Sequence, residues 1–107
     1  MEVTQIGRVR DQELVSGLIR IHILYHACKE PIFGLGMIEE LQRHGYKLSS
    51  GTLYPMLHGL EKKGLLRSRK TRRGNRRRRV YRATSAGRRA LDRAKEKVKI
   101  LLGELLE

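Results

Sequence analysis

The sequence predicts a mainly α-helical domain with one β-hairpin, of the α+β class. Apolar residues recur at steps of three and four early in the chain and again at its end, as they do along one face of a helix. Between these segments, a Gly-Asn pair separates two short stretches with strand-forming residues, which is typical of a hairpin turn. The chain has 107 residues, enough for one hydrophobic core but not for two.

The first helix is predicted to begin at Asp11 and to end before Pro31, because a residue that precedes proline avoids the helical conformation. Residues 1–10 show no period and predict an N-terminal arm. Further apolar residues beside the main stripe cover most of the circumference, which is typical of a helix buried between other elements. The stripe consists of Leu14, Leu18, Ile21, Tyr25 and Cys28.

Two shorter helices are predicted next. The second covers about residues 34–44, and Gly45 is a typical residue for its end. The third begins near Ser49 or Ser50, either of which is a natural N-cap because its hydroxyl accepts a hydrogen bond from a first-turn N–H. It ends at Gly64. The inward face of the third helix is predicted to carry Leu53, Leu57 and Leu60.

A hairpin and a final helix complete the predicted fold. The strands cover residues 65–70 and 79–84, with the turn at Gly74-Asn75. Thr84 or Ser85 then caps a helix that runs to about Leu106.

The positive charge is concentrated in one segment. The net charge is +13, yet residues 62–91 alone contain 14 Lys and Arg and no Asp or Glu. Ten of these basic residues lie within positions 67–82, on the predicted hairpin. A concentrated positive surface attracts polyanions, of which nucleic acid is the first candidate.

Three helices followed by a basic hairpin and a last helix are the layout of a winged helix-turn-helix. The predicted organisation is an arm (1–10), a winged-helix DNA-binding domain (11–84) and a C-terminal dimerisation helix (85–107). The third helix would enter the major groove of double-stranded DNA, and the hairpin, or wing, would bind phosphates. The predicted DNA contacts are Ser49, Ser50, Thr52, Tyr54, Pro55, His58 and Lys62 on the helix, with Arg72, Arg73, Arg76, Arg77, Arg78 and Arg79 on the wing.

The last helix is predicted to form a homodimer. Its apolar stripe runs over four turns, and the inward leucines already fill a three-helix core of this size, so the stripe is expected to meet a second chain. The predicted dimerisation residues are Leu14, Leu18, Leu91, Ala94, Val98, Leu101 and Leu105.

The sequence lacks the patterns of several other classes of protein. No Ser/His/Asp set, phosphate-binding glycine loop or cysteine pair is present, so we expect no enzyme activity, no cofactor and no metal. No apolar run of 18 residues exists, so no membrane span is expected. The single cysteine and the absence of a secretory signal at the start favour a cytoplasmic protein.

The segment GTLYPMLHGLEKKGLL, followed by the basic hairpin and YRATSAGRRAL, resembles the PadR family of bacterial transcriptional regulators. The short last helix resembles the compact subfamily. The resemblance covers about residues 14–91 and rests on Gly51, Thr52, Leu53, Tyr54, Pro55, Leu57, Leu60, Glu61, Gly64, Tyr81, Thr84, Gly87 and Leu91.

The resemblance implies a sequence-specific repressor that binds an inverted-repeat operator as a homodimer, through the third helix and the wing. It also implies release by an unknown small-molecule effector, although the tryptophan of the family's aromatic drug-binding clefts is absent. Two alternatives remain open. One is a general, architectural DNA- or RNA-binding protein that uses the same basic hairpin. The other is a metal- or thiol-responsive sensor that uses His22, His26 and Cys28, because histidines at i and i+4 share a helix face.

Overall fold

The computed structural model describes residues 2–107, with the side chains of residues 13–72 and 74–107. Four helices and a three-stranded antiparallel sheet confirm the predicted α+β class. Compared with the sequence prediction, each strand of the hairpin is longer and the short strand before α2 is new. The elements are α1 (Glu2–Lys29), β1 (Ile32–Phe33), α2 (Gly34–Arg43), α3 (Ser50–Lys62), β2 (Leu66–Arg73), β3 (Arg76–Ala83) and α4 (Ser85–Leu105).

Helix α1 differs from its prediction in two ways. It begins at Glu2, so residues 2–10 continue the helix where a separate arm was expected. It is also buried on one side only: Leu14, Leu18 and Tyr25 of the predicted stripe are exposed. Ile21 and Cys28 of the stripe are partly buried against the core. Apolar residues cover most of this helix, and their spacing does not say which side meets the core. The buried face carries Ile19, Ile23, Leu24 and Ala27.

The sheet joins the start of the second helix to the wing. Strand β3 lies in the middle, paired with β2 over eight residues and with β1 over two, Ile32 opposite Tyr81 and Phe33 opposite Val80. Strand β1 was not predicted because two residues are too short for a periodic pattern. The β2–β3 turn is at Gly74-Asn75 as predicted, and Gly74 adopts a φ of +64°, which glycine accepts without strain.

The core lies where α1, α2, α3 and the base of the sheet meet. Tyr81 of β3 is fully buried at its centre, and no described residue bonds its hydroxyl. As predicted, Leu53, Leu57 and Leu60 turn inward from α3. The remaining buried apolar side chains are Ile19, Ile23, Leu24, Ala27, Ile32, Met37, Leu41, Met56, Leu66 and Leu91.

The start of α4 is packed closely against the chain between α3 and β2. Thr84 is the N-cap: its hydroxyl accepts the Gly87 N–H at 3.0 Å and donates to the Gly64 carbonyl at 2.6 Å. A side chain at Gly87 would place its Cβ 2.1 Å from the Leu65 carbonyl oxygen. Only glycine therefore permits this approach, which sets the direction in which α4 leaves the domain.

Candidate nucleic-acid interface

The first turn of α3 is open to solvent. Ser49 is its N-cap residue, but the predicted hydrogen bond from a first-turn N–H to the Ser49 hydroxyl is not formed. The Ser49 hydroxyl instead lies 3.4 Å from that of Thr52. The first N–H groups of the helix remain available to an acceptor such as a phosphate oxygen. The predicted contacts on this helix are all exposed: Ser49, Ser50, Thr52, Tyr54, Pro55, His58 and Lys62.

Tyr54 is held against the start of α2. A Cβ on Gly34 would lie 2.2 Å from the Tyr54 hydroxyl oxygen, so the tyrosine occupies the space that any other residue at position 34 would need. About 38% of Tyr54 nevertheless remains exposed. The aromatic side chain therefore lies between the outer face of α3 and the start of α2, and sequence reasoning missed this contact with Gly34.

The arginines of the wing fall into two groups. Arg72, Arg76 and Arg77 are exposed, and Arg78 and Arg79 are partly engaged by the protein itself. The Arg78 guanidinium lies 4.1 Å from the centre of the Phe33 ring, a cation–π distance. Arg73 pairs with Arg76 in the hairpin register, and its side chain is outside the described residues.

A hydrogen-bonded chain connects α3 to the wing. Arg79 Nη1 donates to the Ser68 hydroxyl at 2.9 Å, and that hydroxyl donates to Glu61 Oε2 at 2.7 Å. The Ser68 backbone N–H donates to the same carboxylate oxygen at 2.9 Å. The Ser68 hydroxyl, with its backbone N–H and the nearby Arg79, holds the pKa of Glu61 below its ordinary value. Nothing in the sequence pattern pointed to this connection, because the three residues lie on three different elements.

A groove of about 570 Å³ brings the helix and the wing together. Tyr54 of α3 and four arginines of the wing both line it. The apolar floor is formed by Phe33, Gly34 and Leu35, which precede or begin α2. Predicted contacts from two distant parts of the sequence therefore line one surface. The four arginines are Arg76, Arg77, Arg78 and Arg79.

The predicted dimerisation residues divide into an inner and an outer part. Leu91 is only 5% exposed and belongs to the core of its own chain, which corrects its place in the predicted dimer seam. The stripe reaches the core at this end because α4 packs along α1 here. Beyond it α4 carries no buried residue: Ala94 is half-buried, and Leu101 is 52% and Leu105 71% exposed. The other exposed members are Leu14, Leu18 and Val98.

The structure places His44, not Cys28, beside the two histidines of α1. Ligand atoms of His22, His26 and His44 all lie within 4.8 Å of one another. Cys28 is half-buried against the core, and its backbone carbonyl accepts a hydrogen bond from Arg88 at 3.1 Å. The sequence pattern therefore identified two of the three clustered side chains. His44 was missed because it comes from the end of α2, eighteen positions further along the chain.

The described helices include none whose length and apolar character would suit a membrane crossing.

The three helices, the basic wing and the exposed N-terminal turn of α3 define a winged helix-turn-helix protein of the DNA-binding type. The family model of the PadR-like transcriptional regulators matches residues 23–93, which is more than half of the chain. The chain belongs to the PadR-like family of transcriptional regulators.

Individual relatives agree with this family. The chain is 46% identical over 95 residues to transcriptional regulator Rv3488 of Mycobacterium tuberculosis, with 89% of each chain covered. It is similar to the crystal structure of a PadR family transcriptional regulator from Eggerthella lenta, with a TM-score of 0.82 and 32% identity, over all of this chain and 97% of the other. A PadR-like transcriptional regulator from Bacillus cereus aligns with a TM-score of 0.76 and 25% identity, over 89% of this chain and 97% of the other.

Proposed function

We propose that this protein is a homodimeric repressor that binds an inverted-repeat operator in double-stranded DNA. Helix α3 enters the major groove and the wing contacts the flanking backbone. The observation that carries the proposal is the shared groove, which is lined both by Tyr54 of α3 and by Arg76–Arg79 of the wing. One duplex lying along this surface would meet both.

The two groups of residues that line the groove suit different parts of DNA. Arginine binds phosphate with two parallel hydrogen bonds, and such contacts supply affinity and register without reading the sequence. The exposed residues at the N-terminal end of α3 reach base edges in the way that recognition helices do. Thr52 and Tyr54 are therefore the residues that select sequence, and Arg76 and Arg77 supply affinity for any sequence.

The exposed end of α4 supports the homodimer. Val98, Leu101, Leu102 and Leu105 follow at steps of three, one and three, so they lie on one face of the helix. Leu91 and Ala94 lie on the same face nearer the start of α4, where they pack in the domain. Further along the helix, α1 no longer covers this face. A second copy of the chain would extend the core along the same face. Two recognition helices related by a twofold axis would then read half-sites about one helical turn apart.

Repression is the part of the proposal that comes from the family resemblance, and simple occupation of DNA would account for it. A protein that covers an operator about two helical turns long excludes other proteins from the same DNA. Release by a small-molecule effector remains a prediction from the family resemblance.

The test is selection of bound duplexes from a random DNA pool at about 150 mM salt, followed by sequencing. We expect an enriched inverted repeat with half-sites about one turn apart. Insertion of this repeat between a promoter and a reporter gene should then lower expression when the protein is present. A bound pool without any motif would contradict the proposal and favour a general nucleic-acid binder.

A further inference from the structure

Three of the four histidines of the chain converge on one side of the domain. His22 and His26 are four residues apart on α1 and therefore share a helix face. His44 is the C-cap residue of α2, where its backbone N–H bonds the Leu41 carbonyl at 3.0 Å. The His22 ring centre lies 4.9 Å from that of His44 and 6.5 Å from that of His26.

We propose that His22, His26 and His44 form a binding site for a divalent transition-metal ion of the zinc class. Imidazole nitrogen is a preferred ligand of such ions, and three histidines with one open position are a known zinc ligand set. The site is separate from the DNA-binding surface, and the proposal does not depend on the function proposed above.

The spacing of the ligand atoms fits a small cation. Zn–N bonds of about 2.0–2.1 Å in a tetrahedron place neighbouring ligand atoms about 3.3 Å apart. The three histidines offer ligand atoms that all lie within 4.8 Å of one another, so shifts of roughly 1 Å bring them to this separation. All three side chains are half-buried or exposed, which leaves room for such shifts.

A carboxylate lies beside two of the three histidines. Glu40 Oε2 is 3.1 Å from His44 Nε2 and 3.7 Å from His26 Nε2. The shorter of these distances is a hydrogen bond, so the carboxylate can orient the His44 ring, as carboxylates beside metal-bound histidines do. Its negative charge also offsets part of the charge of a divalent cation. Its other oxygen is held by Arg43, one turn later on α2.

The surroundings of the cluster are mainly apolar. The three histidines and Glu40 border a groove of about 540 Å³ between α1 and α4, and its other walls are mainly apolar. The apolar shell around a metal site influences its local dielectric constant and its access to solvent. The apolar lining includes Leu18, Tyr25, Leu91 and Val98.

The experiment is a calorimetric titration of Zn²⁺ into the chelator-treated full chain. We expect one equivalent per chain in the wild type. Each of His22→Gln, His26→Gln and His44→Gln should weaken the affinity at least about tenfold, since even the loss of a group that only supports a ligand costs 10–100-fold. Circular dichroism establishes that each variant is folded.

His58→Gln and Cys28→Ser are the matched controls. His58 is the fourth histidine and lies on α3, outside the cluster, so its replacement should leave the affinity unchanged. Cys28→Ser should also leave it unchanged, which separates this site from a thiol site.

Co²⁺ added to the wild type provides a readout that does not depend on any variant. Tetrahedral coordination should give strong visible absorption without the ultraviolet band of a thiolate ligand. Three results would each overturn the proposal: absence of saturable Zn²⁺ binding, cluster variants that bind Zn²⁺ as tightly as the wild type, or loss of binding in His58→Gln or Cys28→Ser.

Discussion

Glu61 shows how one side chain connects the end of α3 to the wing. Its Oε2 atom accepts the Ser68 hydroxyl at 2.7 Å and the Ser68 backbone N–H at 2.9 Å. The same Ser68 hydroxyl accepts a hydrogen bond from Arg79. The carboxylate therefore orders an arginine on the proposed DNA-binding surface without facing that surface itself.

Glu61→Gln should lower stability near pH 7 but not in acid. The variant keeps an amide oxygen as an acceptor and loses the charge, which costs on the order of 1 kcal/mol in the free energy of unfolding. Because the pKa of Glu61 in the folded protein lies below its ordinary value of 4.5, the carboxylate stabilises the fold above about pH 4.5. That contribution is lost as the pH falls through the folded pKa. Urea unfolding of both proteins from about pH 7 to pH 3 measures the difference.

Glu39→Gln is the control for this prediction, because Glu39 is an exposed residue of α2. It should change stability little at any pH. A difference between wild type and Glu61→Gln that is as large at pH 3 as at pH 7 would show that the charge of Glu61 plays no part.

At the scale of the element, the wing combines anchored and free arginines. Arg78 lies on the Phe33 ring and Arg79 bonds Ser68, so both also serve the structure of the hairpin base. Arg76 and Arg77 stand next to the turn and are exposed. Substitutions at Arg76 and Arg77 should therefore change DNA affinity without changing the fold, which makes these two residues the better test of phosphate binding.

The double variant Arg76→Ala/Arg77→Ala should weaken binding to all DNA sequences to a similar degree. The slope of log K against log salt is negative, and each phosphate contact that is lost makes it shallower by about 0.9. If each arginine neutralises one phosphate, the slope of the double variant should be shallower than that of the wild type by about 2. Fluorescence anisotropy with an operator duplex and a random duplex, from about 50 to 200 mM salt, measures both effects.

Arg93→Ala/Lys97→Ala removes the same charge from exposed positions of α4. This control should leave the slope almost unchanged, because α4 lies away from the groove. If both double variants made the slope shallower to the same degree, net charge and not the wing would explain the affinity.

At the scale of the whole molecule, the chain is elongated, with extents of 48 × 35 × 24 Å. Residues 95–107, which form the second half of α4 and the two residues after it, are all exposed. Large apolar side chains in that position favour association, because apolar surface is removed from water when a second copy covers it. The oligomeric state therefore determines whether the far half of α4 has a packing partner.

Leu101→Glu should shift the proposed dimer toward monomer, since a charge would be buried in the apolar seam. Ile100→Glu is a matched control: Ile100 is an exposed apolar residue of the same helix, 62% exposed, yet it lies on the opposite face from Val98, Leu101 and Leu105. Light scattering coupled to gel filtration measures the mass of each protein. A wild type that elutes as a monomer, or equal effects of the two substitutions, would contradict the seam.

The sequence alone predicted the order of the four helices and the wing, and the inward face of α3. These follow from local signals: Leu53, Leu57 and Leu60 recur at a helical period, and Gly74-Asn75 marks a turn. Charge density and the GTLYP segment identified the family that the matched model confirms.

Only the tertiary structure decided which of several chemically similar side chains contact one another. Both faces of α1 are apolar, so the buried one depends on which elements pack there, and Leu91 belongs to the core because α1 covers that end of α4. The placement of His44 beside His22 and of Glu61 beside Ser68 depends on the angles between elements. Periodicity along the chain shows which residues share one face of a segment. Contacts between segments depend on packing across the whole core, which no local pattern encodes.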